Sequence, residues 1–363
     1  MYQAVARRFD DRLLKRQGDL ALQTVPDAFR RQINWCEALG SPFTAHVLRI
    51  LRADLLAGGV VADMVGTWPG DPEADALPLR LTGALHALVL GHHSAALAAC
   101  YPGGEHAGDG TRLAAAIGSV LKEMPAHFAD YLAWPPQTNE TLRSAALLGG
   151  FTTIGAETGR PLRLLEIGAS AGLNMLWDRF RYRLGATDFG PADSPVLLQT
   201  DWRGPLPPLT MPIVLERHAC DQAPVDLHDP LRRLCLCSYV WADQQERMAR
   251  LTGAISLALE SGITVAKADA ADWLEGQLAL PADPKTMTVL YHSVMWQYLP
   301  NPTQRRIIGL MEQAAKRVPL AWLRLEPQAT GGFAVLLTLW QGGTARERLL
   351  ALSHPHGSWV EWL

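Results

Sequence analysis

The 363-residue sequence has no surplus of positive charge: 33 Lys and Arg stand against 36 Asp and Glu, for a net charge of -3. Without a basic field, a charge-driven grip on nucleic acid is not expected, and a small-molecule substrate is the partner the composition favours. Cysteine is scarce. The five present (Cys36, Cys100, Cys220, Cys235, Cys237) are an odd number with no CxxC spacing, which reads as reduced thiols in a cytoplasmic chain rather than a disulfide framework. Long apolar runs are missing as well. The nearest, residues 85–99, is interrupted by three histidines and falls short of the roughly 20 residues needed to span a bilayer, so no membrane association is expected. The opening stretch carries charges every few residues and no apolar core, which argues against a signal peptide. His86, His92, His93, His106, His354 and His356 have no Cys or carboxylate at ligand spacing, so no metal site is expected. Internal repeats and low-complexity segments are absent, and nothing indicates an oligomeric state.

Hydrophobic residues make up 48% of the chain, enough for two cores at this length. Through residue 135 the apolar positions recur at three and four, as in Phe43, Val47, Ile50, Leu51 and Leu55, the period of a helix with one buried face. Ser41-Pro42 fits an N-cap followed by proline in the first turn. Residues 1–138 therefore read as an N-terminal all-helical domain of about five helices.

After Pro135-Pro136 the pattern changes. Residues 139–157 read as one more helix, with Thr138 a candidate cap, and 162–167 as a short apolar run ending at glycine, the mark of a buried parallel strand. Similar runs recur at 213–215, 263–266, 287–292 and 321–325, separated mostly by helical stretches at 173–180, 243–260 and 302–317. Strands alternating with helices predict a largely parallel sheet. A final run, 333–340, follows a short Gly331-Gly332 turn with no room for a crossover helix, so the last strand should be antiparallel. Residues 181–208 break the alternation and suggest an inserted β-hairpin. The reading is an α/β, Rossmann-like domain over 139–363.

The strand at 162–167 runs into Glu166-Ile-Gly168-Ala-Ser170-Ala-Gly172 and then Asn174. Glycines there permit a tight turn and let backbone approach a ligand, and amides opening a helix can face an anionic group. The loop resembles the acid-x-Gly-x-Gly-x-Gly loop of S-adenosylmethionine-dependent methyltransferases, with Ser170 at the middle glycine. The same residues also spell G-x-S-x-G, the nucleophile elbow of α/β-hydrolases, for which Asp269 and His292 would complete the order Ser, Asp, His. Two features disfavour the elbow: nearly everything upstream is helical, and a charged Glu166 sits in the elbow strand.

Further acids stand where a methyltransferase-type site needs them. A carboxylate after the second strand accepts from a ribose diol, and Asp221 is preferred over Glu216. Asp269-Ala270 closes the next strand and suits an adenine amino group. His292 follows the fourth strand and is the candidate general base, with Trp296 and Gln297 beside it as substrate-binding candidates. Gln137, Asn139 and Arg143, between the two domains, are further polar specificity candidates.

The segments SPFTAHVLRILRADL, LPLRLTGALHALVL, QTNETLRSAALL, LLEIGASAGLN, ERHACDQAPVD, VWADQQERMARL, ADAADWL and HSVMWQYLP together resemble a bacterial family classed as a domain of unknown function. The resemblance covers nearly the whole chain and draws attention to Glu140, Arg217, Trp241, Asp243, Gln244 and Arg247 besides the residues above; Ala219 and Ala242 stand where glycine and proline are expected in that family. Its loop implies S-adenosylmethionine as cofactor and methyl transfer to a small molecule. A serine hydrolase using Ser170, and a non-catalytic nucleotide-binding protein on a degenerate methyltransferase fold, are the alternatives.

Overall fold

The computed structural model describes residues 24–281, 283–328, 331–341 and 344–363. The opening stretch read above for leader character, with the start of the expected helical domain, lies outside the described residues. The chain divides into two compact units. One contains 139–227 and 250–363; the other contains the described residues up to 138 together with 228–249. Sequence placed 228–249 with the sheet. It groups instead with the helices, because it carries a helix, α9 (Pro230–Ser238), capped by Asp229 and packed on α4 (Leu77–Leu90). Asp229-Pro230 is an N-cap followed by proline at the first helical position, a start signal the strand-and-helix alternation obscured.

Among the described residues seven helices, rather than about five, precede residue 138: α1 (Val25–Ala38), α2 (Pro42–Leu56), α3 (Val60–Val65), α4, α5 (Ala95–Cys100), α6 (Gly110–Glu123) and α7 (Pro125–Ala133). The surplus comes from the two six-residue helices, too short to show a period. α4 is buried nearly all round, with Leu77, Leu81, Leu85 and Leu88 in the core. Ser41 does not cap α2 with its own side chain. Asp243 does so instead, accepting from the Ser41 hydroxyl and, at 2.9 Å, from the Phe43 amide.

The other unit is mixed α/β. Among the described residues its sheet has eleven strands in the order β3-β2-β4-β11-β10-β9-β8-β7-β1-β5-β6: β1 (Leu162–Ile167), β2 (Arg181–Leu184), β3 (Thr187–Phe189), β4 (Leu197–Arg203), β5 (Val214–Asp221), β6 (Ala266–Lys267), β7 (Met287–Ser293), β8 (Leu320–Pro327), β9 (Phe333–Gln341), β10 (Thr344–Ser353) and β11 (Trp359–Trp362). Most neighbouring pairs are parallel, and β6-β5-β1-β7-β8 form an unbroken parallel run. All of β1 and nearly all of β7 are buried, which is why they read as continuous apolar runs. One face of the run is covered by α11 (Ala270–Ala279) and α12 (Asn301–Ala314) through Leu274, Ile307 and Met311. On α8 (Arg143–Thr158), Phe151 stacks on Trp177 with ring centroids 4.2 Å apart and meets Tyr291 edge-on at 5.1 Å.

β9 is antiparallel to β8, as the short glycine turn requires, but it is not the last strand. β10 and β11 follow, and β11 joins β4 in parallel. The expected hairpin between 182–184 and 196–198 is also corrected. Those segments, β2 and β4, run parallel, and the hairpin is the shorter β2-β3 pair. Its two-residue loop begins at Gly185, with φ of 59°, the kind of turn that twists with its strands.

Candidate functional site

After β1 the chain makes β2, β3 and β4 at the far end of the sheet, then places β5 and β6 on one side of β1 and returns to β7 and β8 on the other. The carboxyl ends of β1 and β7 therefore flank a topological switch point, the place where open α/β sheets bind ligands. The loop 166–172 leaves β1 at that point. Gly168 and Gly172 have φ of 67° and 75°, the left-handed region glycine adopts without strain. A Cβ on Gly168 would lie 2.9 Å from the Met295 side chain, so bareness there lets the loop after β7 close over it. Ser170 shares the left-handed conformation, at 54°, with a side chain that disfavours it.

Three carboxyl groups gather here. Glu166 is 3% exposed and accepts from the Tyr291 hydroxyl at 2.9 Å. Burial, with the Asp221 charge adding to it against the Tyr291 bond, pushes Glu166 up to about 8. Asp221 ends β5 and accepts from the amides of Ser170 at 2.8 Å and Ala223 at 2.9 Å. Asp269 opens α11 as its N-cap, accepting from the Ala271 and Asp272 amides, with buried Ala270 as the first helical residue. The Cys220 thiol, pushed up to about 12 by burial first, also feels the charges of Asp221, Asp269 and Glu166. Their common action on one sulfur ties the three acids to one locality.

Several predicted ligand contacts turn out to be internal. Residues 173–179 form a short 3-10 helix, interrupted at Leu176, in place of the α-helix expected over 173–180. Its Leu173 amide is taken by the Asn139 side chain at 2.9 Å. Asn139 thus serves as a cap, and the Leu173 amide is taken internally. Asn174 is 2% exposed and bonded to Ser144 and the Glu140 carbonyl. Thr138 does not cap the following helix, which begins only at Arg143; Glu140 accepts from the Leu142 amide just before it. Arg143 holds the carbonyls of Pro355, at 3.1 Å, and Ser293, at 3.4 Å, tying loops together. Gln137 belongs to the other unit. Gln297 is exposed.

His292 is corrected most sharply. Trp322 donates its indole N–H to Nε2 at 3.1 Å, and Nδ1 meets Glu326 Oε1 at 2.6 Å. Indole only donates, so Nε2 must accept and the proton sits on Nδ1. With both nitrogens occupied and the residue fully buried, His292 is not placed to act as a general base. Its ring stacks on partly buried Trp296 at 5.2 Å. Glu326 Oε1 also accepts the Met295 and Trp296 amides, at 3.0 and 3.3 Å, whereas Oε2 is buried with no partner. The Ser170 hydroxyl is likewise buried without a partner. Neither Asp269 nor His292 bonds to it, so the Ser-Asp-His arrangement of the hydrolase alternative is not assembled.

Sequence reasoning missed Glu326, Tyr291 and Met295. For Glu326 a signal existed, an acid at the carboxyl end of a strand in LRLEP, the same signal that singled out Asp269. Val294, between β7 and Met295, adopts a φ of 54°, which is unfavourable for a β-branched residue and is found where surroundings enforce it.

The topological switch point, acid cluster and left-handed glycine loop belong to a mixed α/β unit, at the carboxyl end of its parallel run. Residues 26–362 match the model of a bacterial family described as "Uncharacterized protein conserved in bacteria (DUF2332)", and the chain belongs to that family. Comparison with curated proteins and with solved structures gave no match. No helix among the described residues is long and apolar enough to cross a membrane.

Proposed function

We propose that the α/β unit has the Rossmann-like methyltransferase arrangement, binds S-adenosylmethionine at the loop 166–172, and directs methyl transfer to a small molecule. One observation carries this reading: Glu166, Asp221 and Asp269 converge beside a left-handed glycine loop at a switch point. The Asp221 and Asp269 carboxylates would attract a cationic sulfonium and amine and repel the pyrophosphate of a dinucleotide, with Glu166 as a buried acid beside them. The chemistry of the donor set fits the cofactor. Asp221 keeps lone pairs for a diol beyond its two amide bonds, and the unpartnered Ser170 hydroxyl is a donor that a buried ligand acceptor would satisfy.

The cofactor supplies an electrophilic methyl group, so the chain needs no nucleophile of its own. Its residues orient the reactants and exclude water. His292 fixes Glu326, and Glu326 Oε2 is the oxygen available to take a proton from a hydroxyl or amine acceptor. Calorimetric titration with S-adenosylmethionine and S-adenosylhomocysteine tests the binding step. Both should give heat at micromolar concentration; silence at high micromolar ligand refutes the proposal.

The occupied nitrogens of His292 favour a second reading, a protein that binds the nucleoside without turnover. It predicts the same heats but no methylated product across a broad panel of acceptors.

A further inference from the structure

The acids of the candidate site differ in what answers them. Asp221 accepts backbone amides from Ser170 at 2.8 Å and Ala223 at 2.9 Å. The Glu166 carboxyl, among the described residues, accepts only the Tyr291 hydroxyl, at 2.9 Å. The register of the sheet explains this: Glu166 lies between Tyr291 of β7 and Ala219 of β5, so one neighbour brings a phenol and the other only a methyl group.

The titratable and charged groups around this carboxyl are Tyr291 on β7, Asp221 and Cys220 on β5 and, acting on Tyr291 in turn, Arg217 on β5 and Asp178 on the 3-10 helix. None of these supplies a free positive charge. Arg217 is bonded to Asp178, while burial holds the Tyr291 phenol well above its ordinary range and pushes the Cys220 thiol up to about 12. From α8 comes Phe151, an uncharged ring against Tyr291. Among the described residues the charge that bears on Glu166 is that of Asp221, and it has the sign a second carboxylate would have.

A carboxyl that is 3% exposed, beside a neutral phenol and a like charge, keeps its proton past neutrality. Its rise to about 8 follows from burial first. A proton therefore occupies an acidic locality that is read above as the seat of a cation. The two oppose each other.

On the reading that the loop 166–172 holds S-adenosylmethionine, we infer that Glu166 senses the charge of the cofactor: the sulfonium drives the proton off its carboxyl, and the uncharged thioether left after methyl transfer lets the proton return. The carboxyl O–H bond breaks with its electron pair kept on oxygen, and the proton passes to solvent. Once the methyl group has left, the carboxylate takes a proton back from solvent. Glu166 is thus a specificity-determining group, its ionised form matched to the charged cofactor and its neutral form to the spent one. Binding and ionisation are linked, so each favours the other to the same extent.

Calorimetric titrations of the full chain at about pH 8, run in phosphate and in Tris, count the protons exchanged on binding from the difference in buffer heats. The amino groups of the ligands titrate in this range as well, so Glu166→Gln supplies the baseline. Relative to that variant, wild type should release about 0.4 of a proton more with S-adenosylmethionine than with S-adenosylhomocysteine, the effect of a tenfold change in acidity on a half-ionised acid. Carbon-13 spectra of wild type labelled at the glutamate carboxyls give a readout that needs no variant. The resonance that titrates near pH 8 should be ionised at that pH in the S-adenosylmethionine complex and at least half protonated in the S-adenosylhomocysteine complex. Equal proton release with the two ligands, or no glutamate carboxyl titrating above neutrality, overturns this inference and leaves the cofactor reading intact; silence with both ligands refutes both.

Discussion

Trp322 holds His292 in one tautomer. Its indole N–H points at Nε2 across 3.1 Å, and the proton left on Nδ1 bonds to Glu326, which in turn gathers the Met295 and Trp296 amides. A strand residue thus determines how the loop over Gly168 is held. Trp322→Phe keeps most of the ring and removes the donor. It should cost about 1–3 kcal/mol, the usual effect of leaving a buried acceptor unpaired. Denaturant melts measure the loss, and nitrogen-15 spectra should show His292 protonated on Nδ1 in the wild type, with only the Nε2 resonance shifted in the variant; a wild-type ring protonated on Nε2 alone would refute the proton assignment.

Glu166 makes stability depend on pH in a defined direction. Burial holds its carboxyl at about 8 in the fold, above the ordinary value of 4.5. Below 4.5 both states hold the proton and burial carries no ionic penalty. Between 4.5 and 8 the unfolded chain ionises first, so this group's contribution to stability falls as pH rises and is lost by pH 8 and above. The loss should be on the order of a few kcal/mol. Glu166→Gln should flatten the decline in unfolding midpoint between about pH 5 and 8 relative to wild type, as followed by thermal melts.

Gly168 and Met295 are expected to be coupled. Gly168→Ala adds a Cβ 2.9 Å from Met295 at a φ of 67°, and should destabilise by about 1–3 kcal/mol through strain and overpacking. Met295→Ala removes the Cγ and Cε that lie 2.9 Å away and keeps its Cβ at 3.0 Å, so the double variant should recover part of the overpacking and keep the backbone part. A double-mutant cycle on denaturation free energies gives the interaction directly. Strict additivity would show that the two do not touch.

Ser170→Ala separates stability from binding. The hydroxyl is buried without a partner, so its removal should leave the melting temperature unchanged or slightly raised. Affinity for S-adenosylmethionine should fall about tenfold with loss of one ligand hydrogen bond. Wild-type protein should resist labelling by a fluorophosphonate, since neither Asp269 nor His292 bonds to this serine. Strong labelling that Ser170→Ala abolishes would restore the nucleophile.

The central strands were readable because burial on both faces leaves uninterrupted apolar runs, as in β1, β7 and β8. β10 was not: residues 344–347 are exposed, so neither a run nor an alternation marks its start. At the site, the loop's glycines and acids were legible locally, each as a residue type at a strand end. The pairings were not. Asn139 with Leu173 and His292 with Glu326 are each 34 residues apart, brought together by strand order and register that residue types alone do not specify. The same applies to His292, whose expected role as a base rested on its residue type and failed on its neighbours.

Val294 has a kinetic consequence. At a φ of 54° it holds a β-branched residue where such residues are strained, by about 1–3 kcal/mol. Its amide bond to Leu325, the Arg143 bond to Ser293 and the Glu326 bonds to Met295 and Trp296 oppose that strain. Opening the segment releases the strain, so its amides should exchange with solvent sooner than those of β7 just before it. The covering over Gly168 is then the part of this strand end that opens first, ahead of the parallel run it caps.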